Sequence, residues 1–258
     1  MLFGETIVIS AIIVFCYMTA LFIVAMAAGD NSIADIAWGP GFIIVALAAI
    51  LREGEPGARQ AVVAVMVTIW GLRLAIRIFR RNYGRGEDPR YRKWREEWGR
   101  LFVLRSYLQV FLLQGAILLL NALPLMIIAS SGEKGIGWSD ALGIAIWCVG
   151  FLFEALGDHQ LDRFVKDPSN RGTILRTGLW RYSRHPNYFG EAALWWGIGV
   201  IALSSSWGWI GLIGPMVITA MLLFVSGVPM TERMMEGTPG WEEYRSATSA
   251  FIPWFPKK

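Results

Sequence analysis

The chain has 258 residues, of which 55% are hydrophobic and 13% aromatic against 17% charged. A water-soluble domain has no surface on which to place so much apolar material, so the bilayer is the expected solvent. The formal net charge of +4 sits in blocks between apolar runs, which argues against a nucleic-acid-binding face and predicts loops at a membrane surface. The two cysteines, Cys16 and Cys148, both fall inside apolar runs, and neither a disulfide framework nor a metal site is expected from them.

The first apolar run, Thr6 to Ala28, has the roughly 20 residues that span a bilayer. Ala25-Met26-Ala27 resembles a signal cleavage site, but the segment before the run carries Glu5 and no Lys or Arg. The run therefore reads as a retained anchor. Six further runs follow at about 33–51, 60–79, 106–130, 139–157, 187–204 and 206–228. Short turn-like separators divide them, among them Asp30-Asn31-Ser32, Arg52 to Arg59, Ser131 to Lys134 and Ser204-Ser205-Ser206.

Three longer polar segments, Arg80 to Arg105, Asp158 to His185 and Thr231 to Lys258, are predicted to carry the function. Their arginines and lysines share one side of the membrane only if the number of crossings is odd, and that side is the cytoplasm. The expected fold is all-α, with seven transmembrane helices, the N-terminus outside and the C-terminus cytoplasmic. It forms one transmembrane domain, with helices one to four in 1–130 and helices five to seven with their cytoplasmic loops in 131–258.

Several residues in or beside these runs have the chemistry of a site. Arg73 and Arg77 lie about a turn apart within the third run, where they either snorkel to the interface or meet a carboxylate or phosphate. Glu154 and Asp158 are spaced i, i+4, so both carboxylates share a helical face and face either a cation or the polar groups of a ligand. The densest cluster runs from Gly178 to Glu191, with Pro186 placed as the first residue of a helix. A helix N-terminus flanked by Arg184 and His185 is a site for an anion such as phosphate. Asn187 and Glu191 are again i, i+4, an amide at the rim and a carboxyl roughly 6 Å deeper. Tyr182 and Tyr188 also suit an interfacial anchor. No Gly-x-Gly-x-x-Gly, P-loop or Gly-x-Ser-x-Gly is present, and neither His159 nor His185 has partners at zinc-ligand spacing.

From about Phe151 to Pro253 the chain resembles the membrane-embedded steroid 5-alpha-reductase superfamily, in particular its bacterial branch catalogued as domain of unknown function 1295. Gly178-Leu179-Trp180, Arg184-His185-Pro186-Asn187-Tyr188 and Gly190-Glu191 are similar to the C-terminal signature. Asp30-Asn31-Ser32, Asp35 and Trp38-Gly39 are similar to the first-loop motif of the branch.

The resemblance implies a seven-helix reductase of a bacterial inner membrane that takes NADPH in its C-terminal half and a lipophilic substrate, a 3-oxo-Δ4 steroid or related enone, from the membrane lipids through the N-terminal half. By it, Asn187 holds the nicotinamide end and Glu191 polarises the substrate ketone. Glu154, Asp158, Lys166, Asn170, Arg171, Arg184, His185, Tyr188 and Arg73 are expected to bind cofactor, and Asp35 and Trp38 to bind substrate together with Glu191. Hydride addition to an enone drives negative charge onto the carbonyl oxygen, which a carboxyl kept neutral by apolar surroundings can stabilise. Eukaryotic members pair this Glu with a Tyr on helix three. The matching stretch near Trp70 and Arg73 has none, leaving the second donor to Asp35, Trp38, Tyr107 or a water. Two other readings stand beside this one. An isoprenylcysteine carboxyl methyltransferase-like enzyme would use Arg184-His185-Pro186, Glu232, Tyr244 and Pro253 with S-adenosylmethionine, and a seven-helix transporter would use polar groups such as Gln109, Gln114 and Asn121.

Overall fold

The computed structural model describes residues 2–52, 54–132 and 135–257. Lys134 and Lys258, named above in a separator and in the basic tail, lie outside the described residues. All regular structure among the described residues is helical. In chain order come α1 (Leu2–Ala28), α2 (Ile33–Arg52), α3 (Ala58–Asn82), α4 (Pro89–Trp98), α5 (Phe102–Arg105), α6 (Leu113–Asn121) and α7 (Leu123–Ala129). They are followed by α8 (Trp138–Lys166), α9 (Pro186–Ala202), α10 (Ile213–Ala220), α11 (Val228–Met235) and α12 (Trp241–Ala247).

Six helical stretches are long and apolar enough to cross a membrane: Phe3–Ala28, Ile33–Arg52, Ala58–Asn82, Pro89–Asn121, Trp138–Lys166 and Gly208–Met235. Their outward residues are the wrong kind for water, as with Ile12, Phe15 and Ile23 on α1, Leu72 and Ile76 on α3, and Val149 and Leu152 on α8, all exposed. The chain is a multi-pass membrane protein. The remaining run expected to cross, Pro186–Ala202, forms a helix of 17 residues.

Two of the expected boundaries move. The polar stretch Arg80 to Arg105 is mostly helix, because α3 continues to Asn82 and α4 starts at Pro89. Asp88 caps α4 by accepting from the Arg90 backbone N at 2.9 Å, with Pro89 at the first helical position. Likewise α8 runs nine residues past the expected end at 157, through the polar sequence Asp158 to Lys166. Windowed hydropathy passes over polar helix, so it placed both ends too early.

The chain divides into two compact units, residues 1–137 with 202–213 and residues 138–201 with 214–258. In the first, α2 meets α3 at two glycines, where a Cβ on Gly71 would lie 2.8 Å from the Gly39 carbonyl oxygen. Small residues at this crossing let two backbones touch, and such close van der Waals packing is one of the forces that associate helices in lipid. Phe42 then fills the space beside it, edge-on to Trp38 and to Trp70.

Polar side chains tie both ends of this unit. At one end the α1–α2 turn is bound to the segment after α3. Asn31 N donates to Glu87 at 3.0 Å, Asp88 N to Ser32 Oγ at 2.8 Å, and Asn31 Nδ2 to Ser106 Oγ at 2.8 Å. Asp35 accepts from Arg90 and from the Tyr91 hydroxyl, both at 2.7 Å. At the other end Arg52 pairs with Glu5 and donates to Thr6 at 2.9 Å, while Gln60 donates to the carbonyls of Ile128 and Ser131. Loops 29–32 and 83–88 thus share one end, and Arg52, Gln60 and residues 128–131 the other, so successive spans run antiparallel.

In the second unit α8 packs against α9 through glycines seven residues apart. Gly143 lies against Gly197, and Gly150 against Gly190, each closer than a Cβ could fit. A seven-residue repeat nearly completes two helical turns, so the contact persists along both helices at a shallow crossing angle. The last span is irregular, with α10 passing into a π-helical turn at Met221–Val225 and then breaking at Gly227 before α11.

Candidate functional site

The site is built in the second unit where α8 faces the start of α9. Glu154 and Asp158 are both buried on α8. Gly157 lies between them, and a Cβ there would sit 3.1 Å from the backbone N of Asn187. The short turn Gly178–Arg181 is lashed to α8 by Trp180 Nε1 donating to the Gly157 carbonyl at 3.1 Å and by Leu179 N donating to Gln160 at 3.0 Å. These bonds bring the chain back so that α9 begins, as its Pro186 predicts, beside Asp158.

Asn187 Nδ2 donates to Asp158 Oδ1 at 3.1 Å. A carboxylate only accepts, so this bond assigns the amide orientation and leaves Asn187 Oδ1 as the outward acceptor. That oxygen is buried and has no hydrogen-bond partner among the described residues. A buried acceptor left unmet costs about 1–3 kcal/mol, and this one stands beside a buried carboxyl group. Glu191 lies one turn further along α9.

The turn before α9 is held from α11 and from the segment after it. Arg184 Nε donates to Glu232 Oε1 at 2.8 Å, and its Nη2 lies 2.8 Å from the same oxygen. Its Nη1 donates to the carbonyls of Arg245 and Thr248, and its backbone N to the carbonyl of Ser249 at 2.8 Å. Ser183 Oγ accepts from His185 N at 3.1 Å and donates to the Phe251 carbonyl at 2.8 Å. His185 is almost fully buried, with Nε2 3.3 Å from Glu232 Oε1 and its ring stacked on Tyr188 at 5.3 Å. The Tyr188 hydroxyl lies 3.0 Å from Thr231 Oγ1. Burial lowers the His185 pKa and the Arg184 charge adds to this, against the opposing pull of Glu232, with a net value below the ordinary 6.5. The imidazole is therefore neutral at pH 7.

The other expected site residues are distributed as follows. Lys166 and Arg171 are exposed around the turn after α8, and Asn170 donates its side-chain amide to the Phe164 carbonyl at 3.0 Å, bracing that turn. Lys166 is eight residues along α8 from Asp158, about 12 Å. Arg73, Asp35 and Trp38 belong to the first unit. There Asp35 serves Arg90 and Tyr91, and Trp38 packs on Phe42. Sequence reasoning set Glu232 beside this cluster only through the methyltransferase comparison. Arg184, which the structure buries, takes its counter-charge from Glu232; in the sequence it stands in a polar segment that gave no sign of that need. Thr231, and in the first unit Arg90 and Tyr91, gave no signal either.

Residues 21–249 match the family model described as "Protein of unknown function (DUF1295)". The chain is similar to an uncharacterised protein of Schizosaccharomyces pombe, 28% identical over 228 residues, covering 76% of this chain and 63% of that protein. It is also similar to a steroid 5-alpha-reductase of Arabidopsis thaliana, 32% identical over 75 residues, 29% of this chain and 27% of the relative. A further similarity is to the 3-oxo-5-alpha-steroid 4-dehydrogenase 1 of Bos taurus, 38% identical over 68 residues, 26% of either chain. The chain spans less than two thirds of the length of each of these relatives. No solved structure matches it. With the family model covering all but the two ends, this multi-pass membrane protein belongs to the DUF1295 family.

Proposed function

We propose that this protein is an NADPH-dependent reductase of the carbon–carbon double bond in a lipophilic enone, a 3-oxo-Δ4 steroid or a molecule of that class. The observation that carries the reading is the unmet Asn187 Oδ1 beside the buried Asp158, at the start of α9. A carboxamide such as that of nicotinamide brings the N–H donors this position lacks. The partial similarity to two steroid reductases supports the same reading.

In this scheme bound NADPH supplies the hydride. Asn187, Asp158 and Glu154 orient its reactive end, Tyr188 and His185 line the turn beside it, and Lys166, Asn170 and Arg171 meet the phosphates farther along α8. Glu191 donates a hydrogen bond to the ketone oxygen as charge develops there, while the β-carbon gains hydride and the enolate that results takes its α-proton from water. Asp35 and Trp38 are assigned to the substrate side. Arg184 contributes through the turn it holds, since Glu232 and the carbonyls of Arg245 and Thr248 take its guanidinium donors.

The same reading places seven crossings in a bacterial inner membrane, with Pro186–Ala202 as the seventh. At 1.5 Å per residue it is about 26 Å long, close to the hydrocarbon thickness. The N-terminus then lies outside, and the start of α9 faces the cytoplasm and its NADPH.

The test is NADPH oxidation by the detergent-purified protein with progesterone, with the product identified by mass spectrometry. The saturated ketone is the expected product. Glu191→Gln is expected to lower turnover about 100-fold, the loss typical of one transition-state hydrogen-bond donor, with NADPH binding intact. Full turnover in that variant would remove Glu191 from the chemistry. A second reading rests on the buried carboxylates Glu154 and Asp158, which would also welcome the sulfonium of S-adenosylmethionine. Binding of that compound without ketone reduction would decide for methyl transfer.

A further inference from the structure

We infer that Glu232 is a positioning residue, which fixes the tautomer of His185 and the posture of Arg184 and thereby the pose in which Asn187 is presented. The ligand named for Asn187 rests on the function proposed above, whereas the geometry does not. Two consecutive residues of α11 grip the turn from one side. Thr231 reaches the Tyr188 hydroxyl, and Glu232 reaches Arg184 and His185. The gripped positions 184, 185 and 188 bracket Pro186 and Asn187 in the chain, so the direction of the first α9 turn depends on these bonds.

The chemistry of the grip is directional. Glu232 Oε1 is already charge-paired with Arg184, and a carboxylate offers no hydrogen. His185 Nε2, facing it, must therefore carry the N–H, and Nδ1 the lone pair. The charged and titratable groups around this imidazole are Glu232 from α11, Arg184 from its own turn, Tyr188 from α9, and Tyr244 and Arg245 from α12 behind Arg184. Among these, Glu232 is the one carboxylate. Arg184 cannot swing away to find another, because the carbonyls of Arg245 and Thr248 hold its other donors. Partners of this kind act by orienting the residue that meets the ligand, and their loss shows as lost affinity.

The experiment uses the full chain in detergent. The chain has two histidines, and the other, His159, is exposed. In a His159→Gln background, ¹⁵N-histidine spectra therefore report on His185 alone. With Glu232 present the spectrum should show the tautomer protonated at Nε2. Glu232→Gln should produce a mixture of tautomers and raise KM for NADPH about tenfold, the equivalent of one hydrogen bond, with kcat changed less than threefold. Glu232→Asp keeps the charge and should restore the single tautomer and most of the affinity. An unchanged histidine spectrum in Glu232→Gln overturns the positioning role. So does a kcat loss with KM unchanged, which would mark Glu232 as part of the chemistry. Should Glu232→Gln fail to fold, Glu232→Asp decides, since loss of the single tautomer there overturns the proposal. Failure of the wild type to bind NADPH would end the reductase reading while leaving the tautomer result to stand or fall by itself.

Discussion

Asp88 shows how one side chain serves both a helix cap and an ion pair. It accepts from the Arg90 backbone at 2.9 Å and from the Arg90 guanidinium at 3.0 Å. Burial alone would raise its carboxyl. The Arg90 hydrogen bonds, with the charges of Arg90 and Arg81, bring it below the ordinary 3.8 instead. Because the folded value is the lower one, the stabilisation is complete above the unfolded value and fades as pH falls through the folded value. Thermal unfolding followed from about pH 5 to about pH 3 should show this acid loss in the wild type and a weaker one in Asp88→Asn. Near neutral pH Asp88→Ala should cost about 1 kcal/mol, the usual effect of a lost cap, whereas Asp88→Asn keeps a capping oxygen and loses only the ion pair. Nearby, Tyr91→Phe removes the hydroxyl that Asp35 accepts. It should cost about 1 kcal/mol in denaturant unfolding, and it should leave a substrate role for Asp35 measurable because the Arg90 pair survives. Asn187 and Glu191 were legible at this scale because they lie four residues apart behind a proline. Glu232 was not, because its partners are 47 and 48 residues away, and no local pattern encodes so distant a contact.

Helices read well where apolar and poorly where polar. The starts of α1, α2 and α9 fall within four residues of the expected positions, since apolar runs and a well-placed proline mark them. The expected single helix from 106 to 130 is interrupted. A π-helical stretch occupies Ser106–Leu112, and α6 ends at Asn121 before α7 resumes at Leu123 with Pro124. Proline removes a backbone donor and explains the second break. Hydropathy registers neither feature, since a windowed average stays apolar across Ser106, Gln109, Gln114 and Asn121. The contact of α8 with α9 was also invisible, although its glycines were in plain view, because spacing alone does not say which helix a small residue faces. The packing makes a direct expectation. Gly190→Ala places a methyl group against the backbone of Gly150 and Glu154, and backbone cannot move aside as a flexible side chain can. Equilibrium unfolding in detergent should show a loss of about 1–3 kcal/mol. Gly172→Ala, exposed in the turn after α8 with nothing near its Cβ position, should cost less and only through its positive φ of 74°.

For the whole molecule, composition led directly to a multi-pass helical membrane protein. The division into units was less accessible to sequence, because residues 202–213 leave their chain neighbours to pack with the first unit, where Gly211 lies on Pro124. The orientation proposed from charge bias is open to a direct test. Cys16 and Cys148 lie within spans, so a membrane-impermeant maleimide applied to intact cells should leave them unlabelled. A cysteine replacing the exposed Glu97 on α4 should remain unlabelled in intact cells and become reactive once the membrane is opened. Labelling without opening would invert the orientation.

The bonds joining Ser183 and Arg184 to the carbonyls of Arg245, Thr248, Ser249 and Phe251 also set an order of events during synthesis. The ribosome delivers residues 178–191 before it delivers 245–251, so a nascent chain that has already inserted α8 and α9 still lacks these carbonyl acceptors of Ser183 and Arg184. The site is completed by the arrival of the later segment. A chain released early, before Phe251, is expected to be inserted and yet unable to bind its ligand, a state that quality-control proteases could recognise by its loose α9 entrance.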